Sequence, residues 1–245
     1  MKFDDEVAQN IADLGQNEVL KAQSRSWMTE SARGRYSYNF SFMGRPIIQY
    51  PQDMVAMQEL VWKTKPDLII ETGIAHGGSL VFYAAMLELN AICGGQANAQ
   101  VLGIDIDIRA DNRAAIEAHP MARRINMIQG SSIAPEIVRR VREAAEGMRR
   151  VLVVLDSNHT HDHVLAELEA YGDLVTIGSY CVVFDTVVED LPADLFPNRP
   201  WGPGDNPKTA VHAFLARHPN FEIDRAMDAK LQISVAPEGF LMRVR

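Results

Sequence analysis

Cysteine is nearly missing from this chain of 245 residues: Cys93 and Cys181 are the only two. Two thiols cannot build the disulfide framework of a secreted scaffold. Their places in a predicted helix and a predicted strand fit buried free thiols in a reducing compartment. No apolar run approaches the ~18 residues that a membrane span needs. The opening residues, MKFDDEVAQNIADLG, are acidic where a signal peptide would be basic and then apolar. The expected location is therefore cytoplasmic. Positive charge is in deficit too, with 24 Lys and Arg against 32 Asp and Glu, so a nucleic-acid partner gains no support from the net charge of −8. Repeats and low-complexity segments are absent from the sequence. What remains is ordinary globular composition, 47% apolar and 23% charged, in a length that suits one large domain with or without an appendage.

One stretch organises the rest. Residues 67–79 read DLIIETGIAHGGS. The run Leu68-Ile69-Ile70 is long enough for a buried strand of a parallel sheet, and it leads to an acid, Glu71. A turn through Gly73, Gly77 and Gly78 follows, and LVFYAAMLEL then reads as a helix with Ser79 as its cap. An acid at a strand tip beside a glycine turn that opens a helix suits a nucleotide cofactor. Glycines admit the ligand to the backbone, and a helix N-terminus offers free N–H groups. The spacing E-x-G-x-x-x-G-G-S is not the G-x-G-x-x-G of dinucleotide folds, and no lysine stands ready for a triphosphate. It suits a cationic ligand such as S-adenosylmethionine, with Glu71, Thr72, Gly73, His76, Gly77, Gly78 and Ser79 as the binding span. The plain alternative is a tight strand-to-helix turn that binds nothing.

Residues 1–45 read as an N-terminal arm and residues 46–245 as the main domain. The arm is expected to hold one amphipathic helix over about residues 4–28, then an aromatic segment with Trp27, Tyr36, Tyr38, Phe40 and Phe42 that covers an active site, makes a subunit contact or simply packs. Residues 44–53 suggest a turn and a short extended piece, and MVAMQELVWKTKP a helix ended by Pro66. Strands are expected at 101–107, at INMIQGSS, at VLVVLD and at SYCVVFDT, separated by helices at DNRAAIEAH, 135–147 and 161–174. A loop over 187–207, a helix at KTAVHAFLARH and closing strands in FEIDRA and LQISVAPEGFLMRV complete the chain. Five strand–helix alternations predict a doubly wound α/β sheet, in which ligands bind at the carboxyl ends of the strands. Glu71, Asp105, Ser131, Asp156 and Asp185 all fall at those ends.

Asp105, at the second strand's tip, is placed to accept ribose hydroxyls, while helix capping suits Asp107 or Asp111 better. Gly130, Ser131 and Ser132 are placed to bound an adenine. The cluster DSNHTHDH, 156–163, offers three histidines at alternate positions, a spacing that does not converge on one helical face. Asp156 and Asp185, at adjacent strand ends, suit Mg²⁺ or another oxygen-preferring cation. Such an ion lowers the pKa of a substrate hydroxyl. His159, three residues beyond Asp156, is the candidate general base, and Asp156 its catalytic partner. His161 and His163 read as a solvated helix start.

ETGIAHGGS, GIDIDIRADNRAAIEAHP, QGSS, the long segment LDSNHTHDHVLAELEAYGDLVTIGSYCVVFDT and GPGDNPKTAVHAFLARHPNFEIDR resemble the cephalosporin-hydroxylase-like family. Despite that name it groups with S-adenosylmethionine-dependent O-methyltransferases, including those acting on rhamnosyl and other deoxysugar hydroxyls. The resemblance runs from about Tyr38 to the C-terminus. It implies the Rossmann-like methyltransferase sheet with an antiparallel strand inserted near its edge. It also implies Mg²⁺ on Asp156 and on an acidic pair after the fifth strand, with His159 as base. The chain departs from the family at that pair: where V-V-E-D-T is usual it reads Val182-Val183-Phe184-Asp185-Thr186. The expected activity is methyl transfer to a sugar or natural-product hydroxyl by a homo-oligomer. Two rivals are a β-lactam hydroxylation or methoxylation enzyme and a non-catalytic cofactor-binding subunit. An iron oxygenase would need a two-His-one-carboxylate set, and His159, His161 and Asp156 are too close in sequence to make one convincingly.

Overall fold

The computed structural model describes residues 2–245. Its centre is β3 (Leu68–Thr72), every residue of which is buried. Around it a seven-stranded sheet has the order β5-β4-β3-β6-β7-β9-β8, with β4 (Gln100–Asp105), β5 (Ile125–Gln129), β6 (Val151–Leu155), β7 (Tyr180–Val183), β8 (Phe221–Ile223) and β9 (Phe240–Arg243). All pairings among β3 to β7 are parallel, and β9 alone runs antiparallel to both its neighbours. Period-two alternation divides each strand between two cores. Ile69, Val101, Leu152, Val154 and Val182 face one, whereas Leu68, Ile70, Leu102, Val151, Val153 and Val183 face the other. Helices α3 (Pro51–Thr64), α4 (Gly78–Ile92) and α5 (Ala110–Glu117) cover the first face. Helices α6 (Pro135–Ala145), α7 (His161–Tyr171) and α8 (Pro207–Leu215) cover the second. The doubly wound, mostly parallel sheet expected from the alternation is therefore present, with its reversed strand one place in from the edge.

Local chemistry moves several boundaries. The arm is two helices, α1 (Phe3–Gln16) and α2 (Glu18–Arg33), rather than one. Asn17 leaves helical geometry, and its side-chain oxygen accepts from the Leu20 N–H, capping α2. The cap of α4 is Gly77, at φ +80°, and not Ser79, whose hydroxyl instead donates to Glu71. Strand β4 stops at Asp105 because that carboxylate accepts the N–H of Asp107 and bends the chain there. Neither Asp107 nor Asp111 caps α5, which begins after Arg109 without a side-chain cap. LQISV is no strand: α9 (Arg225–Leu231), capped by Asp224, ends at Gln232, and Asp53 then holds the chain through the Ser234 hydroxyl and the Val235 N–H. The 187–207 loop contains short 3₁₀ turns at Thr186–Asp190 and Ala193–Leu195. Cys181 is buried as expected, but Cys93 is exposed, since it falls one residue past the end of α4.

The aromatic segment builds a wall beside the strand ends. Trp27, Tyr36, Phe40 and Tyr50 meet mostly edge to face, with ring centroids 5.0–5.9 Å apart. Met28 and Tyr50 pack with Val187 and Leu191 of the 187–207 loop. A hairpin of β1 (Phe40–Phe42) and β2 (Arg45–Ile47) then lays Phe42 against Phe82 of α4.

Candidate active site

Strands β3 and β6 are neighbours whose connections leave in opposite directions, the switch point at which such sheets bind ligands. At their tips the chains nearly touch. Gly73, at φ +90°, passes so close to the backbone of Asp156 that a Cβ there would overlap its carbonyl oxygen. The turn that follows is clamped from outside. The Arg45 guanidinium donates twice to the His76 carbonyl, at 3.0 and 2.6 Å, and once to Asn112, which itself donates to the Ala75 carbonyl. From inside, one Asp105 oxygen accepts the N–H groups of Ile74 and Ala75 at 2.8 and 3.3 Å. Asp105 thus builds the turn, with acceptor capacity to spare for a ligand hydroxyl.

Two cavities open on either side of Gly73 and Ser157, which line both. The larger, about 290 Å³, is reached by His76, Gly78, Ser79, Asp156, His159 and Asp185. The smaller, about 120 Å³, is reached by Asp105 and Ser131. Three of the residues expected to bind cofactor stay behind these walls. Glu71 is wholly buried, with one carboxylate oxygen 2.9 Å from the Ser79 hydroxyl and the other without a partner among the described residues. Burial raises its pKa to about 8. Thr72 is buried too, its carbonyl accepting the Asp156 N–H, and Gly77 is the cap of α4, lodged against Ile116.

On the wall of the larger cavity Asp156, His159 and Asp185 bring one ligand atom each to within 4.8 Å of one another. Asp156 follows β6, and His159 lies in the loop to α7. Asp185 sits just past β7 at φ +57°, a left-handed geometry that aspartate tolerates. His159 Nε2 is 3.3 Å from Asp185 Oδ2, and the Trp201 ring stands edge-on to the imidazole at 4.8 Å. Burial pushes the Asp156 carboxyl well above its ordinary range, and the nearby Asp185 carboxylate acts the same way. Two adjacent carboxylates with an imidazole answer such mutual repulsion best with a cation between them, so the donor set fits a divalent metal. Phe184 does not take part. Its ring is 1% exposed and belongs to the core on the α3–α4 face.

The other two histidines of the cluster are engaged, not solvated. His161 Nδ1 lies 2.8 Å from the Thr209 hydroxyl of α8. Among the described residues the one cluster that could hold a metal has a single histidine, His159, so a two-histidine iron set is not assembled. His163 lines the smaller cavity, with Nε2 3.1 Å from the Ser132 hydroxyl. Gln49, Ser157, Glu167 and Trp201 escaped the sequence reading. Gln49 lies in a short extended piece without a motif, yet its side-chain amide donates to Asp156 at 3.4 Å. Trp201 comes from a loop whose sequence fixes no position.

A reversed strand between the last two parallel ones is the signature of the class I S-adenosylmethionine-dependent methyltransferase fold, and solved structures share it. CmcI in complex with SAH has a TM-score of 0.58 at 19% identity, over 84% of this chain and 83% of that one. An O-methyltransferase from Bacillus cereus in complex with SAH has 0.51 at 15% identity, over 82% and 81%. Sequence then narrows the class. The rhamnosyl O-methyltransferase of Mycobacterium leprae is 32% identical over 216 residues, 86% of either chain. That of Mycobacterium tuberculosis is 31% identical over 208 residues, 83% of this chain and 78% of its own. The family described as Rhamnosyl O-methyltransferase/CmcI matches residues 34–244; this chain belongs to it and is an S-adenosylmethionine-dependent O-methyltransferase.

Proposed function

We propose that the protein methylates a hydroxyl of a deoxysugar, such as a rhamnosyl group, or of a glycosylated natural product, with His159 as general base and a divalent cation, Mg²⁺ by preference, at Asp156 and Asp185. The observation that carries this is the convergence of Asp156, His159 and Asp185 on the wall of the glycine-lined cavity. S-adenosylmethionine, when bound, supplies the electrophilic methyl group, and a divalent ion lowers the pKa of a hydroxyl that it ligates. The Gly73–Ser79 turn is suited to the methionine end, Asp105 to the ribose and Ser131 to the adenine. His159 receives the hydroxyl proton on a ring held by Asp185 on one side and Trp201 on another. A base oriented by a third group is the general form of such an arrangement. Confining both reactants at the switch point supplies much of the rate by proximity. Phe184 leaves one acid fewer than the family pattern, so a divalent ion held by Asp156 and Asp185 would keep more water among its ligands.

Homo-oligomeric assembly and a cytoplasmic location complete the reading. Among the described residues no helix is long and apolar enough to cross a membrane. The outer faces of the packed helices α3 and α4 expose Val55, Trp62, Leu89 and Ile92, apolar area that self-association would cover.

The test is His159→Ala, assayed with S-adenosylmethionine and a simple rhamnoside as acceptor. Cofactor affinity by calorimetry stays within about twofold, while turnover falls by roughly 10²–10⁴, the range of general-base catalysis. Unchanged turnover removes His159 from the mechanism. Calorimetry repeated with EDTA and with added Mg²⁺ reports whether the cofactor needs the ion to bind.

A further inference from the structure

The glycine turn is fastened by a segment that the catalytic reading leaves unused, the β1–β2 hairpin. Phe42 lies against Phe82 of α4, and the Pro46 carbonyl reaches the first residue of that helix. A Cβ on Gly78 would come within 2.2 Å of that oxygen and 2.7 Å of the Ile47 Cβ, so this glycine makes room for the hairpin. In the hairpin turn, the Met43 carbonyl oxygen lies 3.0 Å from His119 Nε2. Between these contacts stands Arg45. Its Nε and Nη2 donate to the His76 carbonyl at 3.0 and 2.6 Å, and Nη2 also donates to Asn112 Oδ1 at 3.1 Å. Asn112 in turn donates from Nδ2 to the Ala75 carbonyl at 2.8 Å.

These hydrogen bonds of the Arg45 guanidinium go to neutral acceptors, one backbone carbonyl and one amide. A planar fork can grip one acceptor with two donors and still reach a second, which a lysine ammonium does not reproduce. What it grips is strained. Ala75 is at φ +45°, a left-handed geometry unfavourable for a residue with a Cβ and kept only where its surroundings enforce it. Its N–H is held by Asp105 and its carbonyl by Asn112. In a trans peptide the C=O and the next N–H point opposite ways, so drawing both carbonyls to Arg45 and Asn112 also aims the N–H groups of His76 and Gly77. The Gly77 N–H closes on the Ile74 carbonyl at 2.7 Å, and the His76 N–H faces away from Asn112. Ala75 and His76 line the larger cavity, whereas Arg45 and Asn112 stand behind that lining.

We propose that Arg45 is a positioning residue for the cofactor: from the hairpin, and through Asn112, it holds the Ala75 and His76 peptides in the orientation that binds S-adenosylmethionine. The proposal rests on the reading of the Gly73–Ser79 turn as part of the binding span. Without the guanidinium the His76 carbonyl loses two donors, Asn112 loses one of its two partners, and Ala75 is free to relax toward commoner backbone geometry. Binding must then reorder the turn first, and the apparent affinity falls by the fraction of molecules in which the turn is still formed.

The experiment is calorimetric titration of S-adenosylhomocysteine into the wild type, Arg45→Ala, Arg45→Lys and His119→Ala, with amide hydrogen exchange followed over residues 73–79. In the wild type the ligand is expected to protect that segment. Arg45→Ala is expected to bind about 10–100-fold more weakly, as charge-assisted hydrogen bonds are lost, and its free turn to exchange faster than the wild type's. Methylguanidinium at about 20 mM, but not the same concentration of sodium chloride, restores affinity in Arg45→Ala by returning the missing fork. Arg45→Lys is weakened and not rescued, because its own side chain fills the space. His119→Ala, which loosens the hairpin elsewhere, stays within about threefold of the wild type, an effect no larger than that of one ordinary hydrogen bond. A loss below about fivefold in Arg45→Ala, or in Arg45→Lys should the alanine variant not fold, overturns the role of Arg45. So does a loss that methylguanidinium leaves unchanged, or an equal loss in His119→Ala. Binding to the wild type without protection of residues 73–79 overturns the reading of the turn itself, and the inference with it.

Discussion

Asp53 shows how one buried side chain writes itself into the pH dependence of the whole protein. It is fully buried at the start of α3, and its carboxyl receives the Ser234 hydroxyl and the Val235 N–H, which fixes the chain behind the active-site wall. Burial raises its pKa to about 7, against an ordinary 3.8. Between those values the folded protein keeps a proton that the unfolded chain has released. The contribution of Asp53 to stability therefore falls as pH rises through that window and levels off above about 7. Glu71, raised to about 8, acts with the same sign. In Asp53→Asn the slope from Asp53 is lost. Urea unfolding at pH 5 and pH 7.5, with EDTA present, should show the wild type losing about 2 kcal/mol more than the variant across that interval. Equal losses would show that Asp53 keeps its proton, or its charge, throughout.

At the scale of elements, the end of β7 decides what the site can hold. Successive strand residues point to opposite faces, so position 184 is committed to the core on the α3–α4 side, whereas Asp185, released into a left-handed turn, reaches the cavity. Restoring the acid that relatives are expected to have there does not simply rebuild a ligand. Phe184→Glu places an unpaired carboxylate among fully buried apolar side chains, at a cost of about 3–5 kcal/mol. Chemical denaturation should show that loss, and Mg²⁺ affinity measured by calorimetry should not improve. A tighter ion in a stably folded variant would mean that the strand end can re-aim its side chain. The same element-level logic explains His161 and His163. The start of α7 carries them to α8 and to Ser132, so alternate histidines that look like one ligand set in sequence serve three different neighbours.

On the scale of the whole molecule, the arm and the sheet contribute unequally. Helix α1 contains no buried residue and packs chiefly on α9, closing one side of a cavity of about 730 Å³ away from the catalytic cluster. The aromatic segment, in contrast, places Ser37 and Tyr38 on the wall of the active-site cavity. Deleting residues 2–16 should therefore lower the melting temperature by only a few degrees, the shift expected for about 1–2 kcal/mol in a domain of this size. S-adenosylhomocysteine affinity should stay within about twofold by calorimetry. Loss of cofactor binding on that deletion would show that α1 supports the site through α9.

Much of this architecture was legible in the chain itself, because periodicity and turn chemistry act over a few residues. Buried runs such as Leu68-Ile69-Ile70 and Val151–Leu155 specify strands wherever they fall, and their alternation with helices requires a parallel sheet whose ligands lie at the strand tips. Gly73, Asp105, Asp156, His159 and Asp185 could be placed there by counting alone. Tertiary structure decided the rest, since it depends on what lies across a gap. Only the approach of Asp156 to Gly73 makes that glycine sterically necessary, and only the pairing of α7 with the tips of β5 and β6 brings the Ser132 and Ser157 hydroxyls to Glu167. Ser79 turned from a helix cap into a donor to Glu71 for the same reason: a hydroxyl takes the strongest acceptor within reach, and reach is a property of the folded molecule.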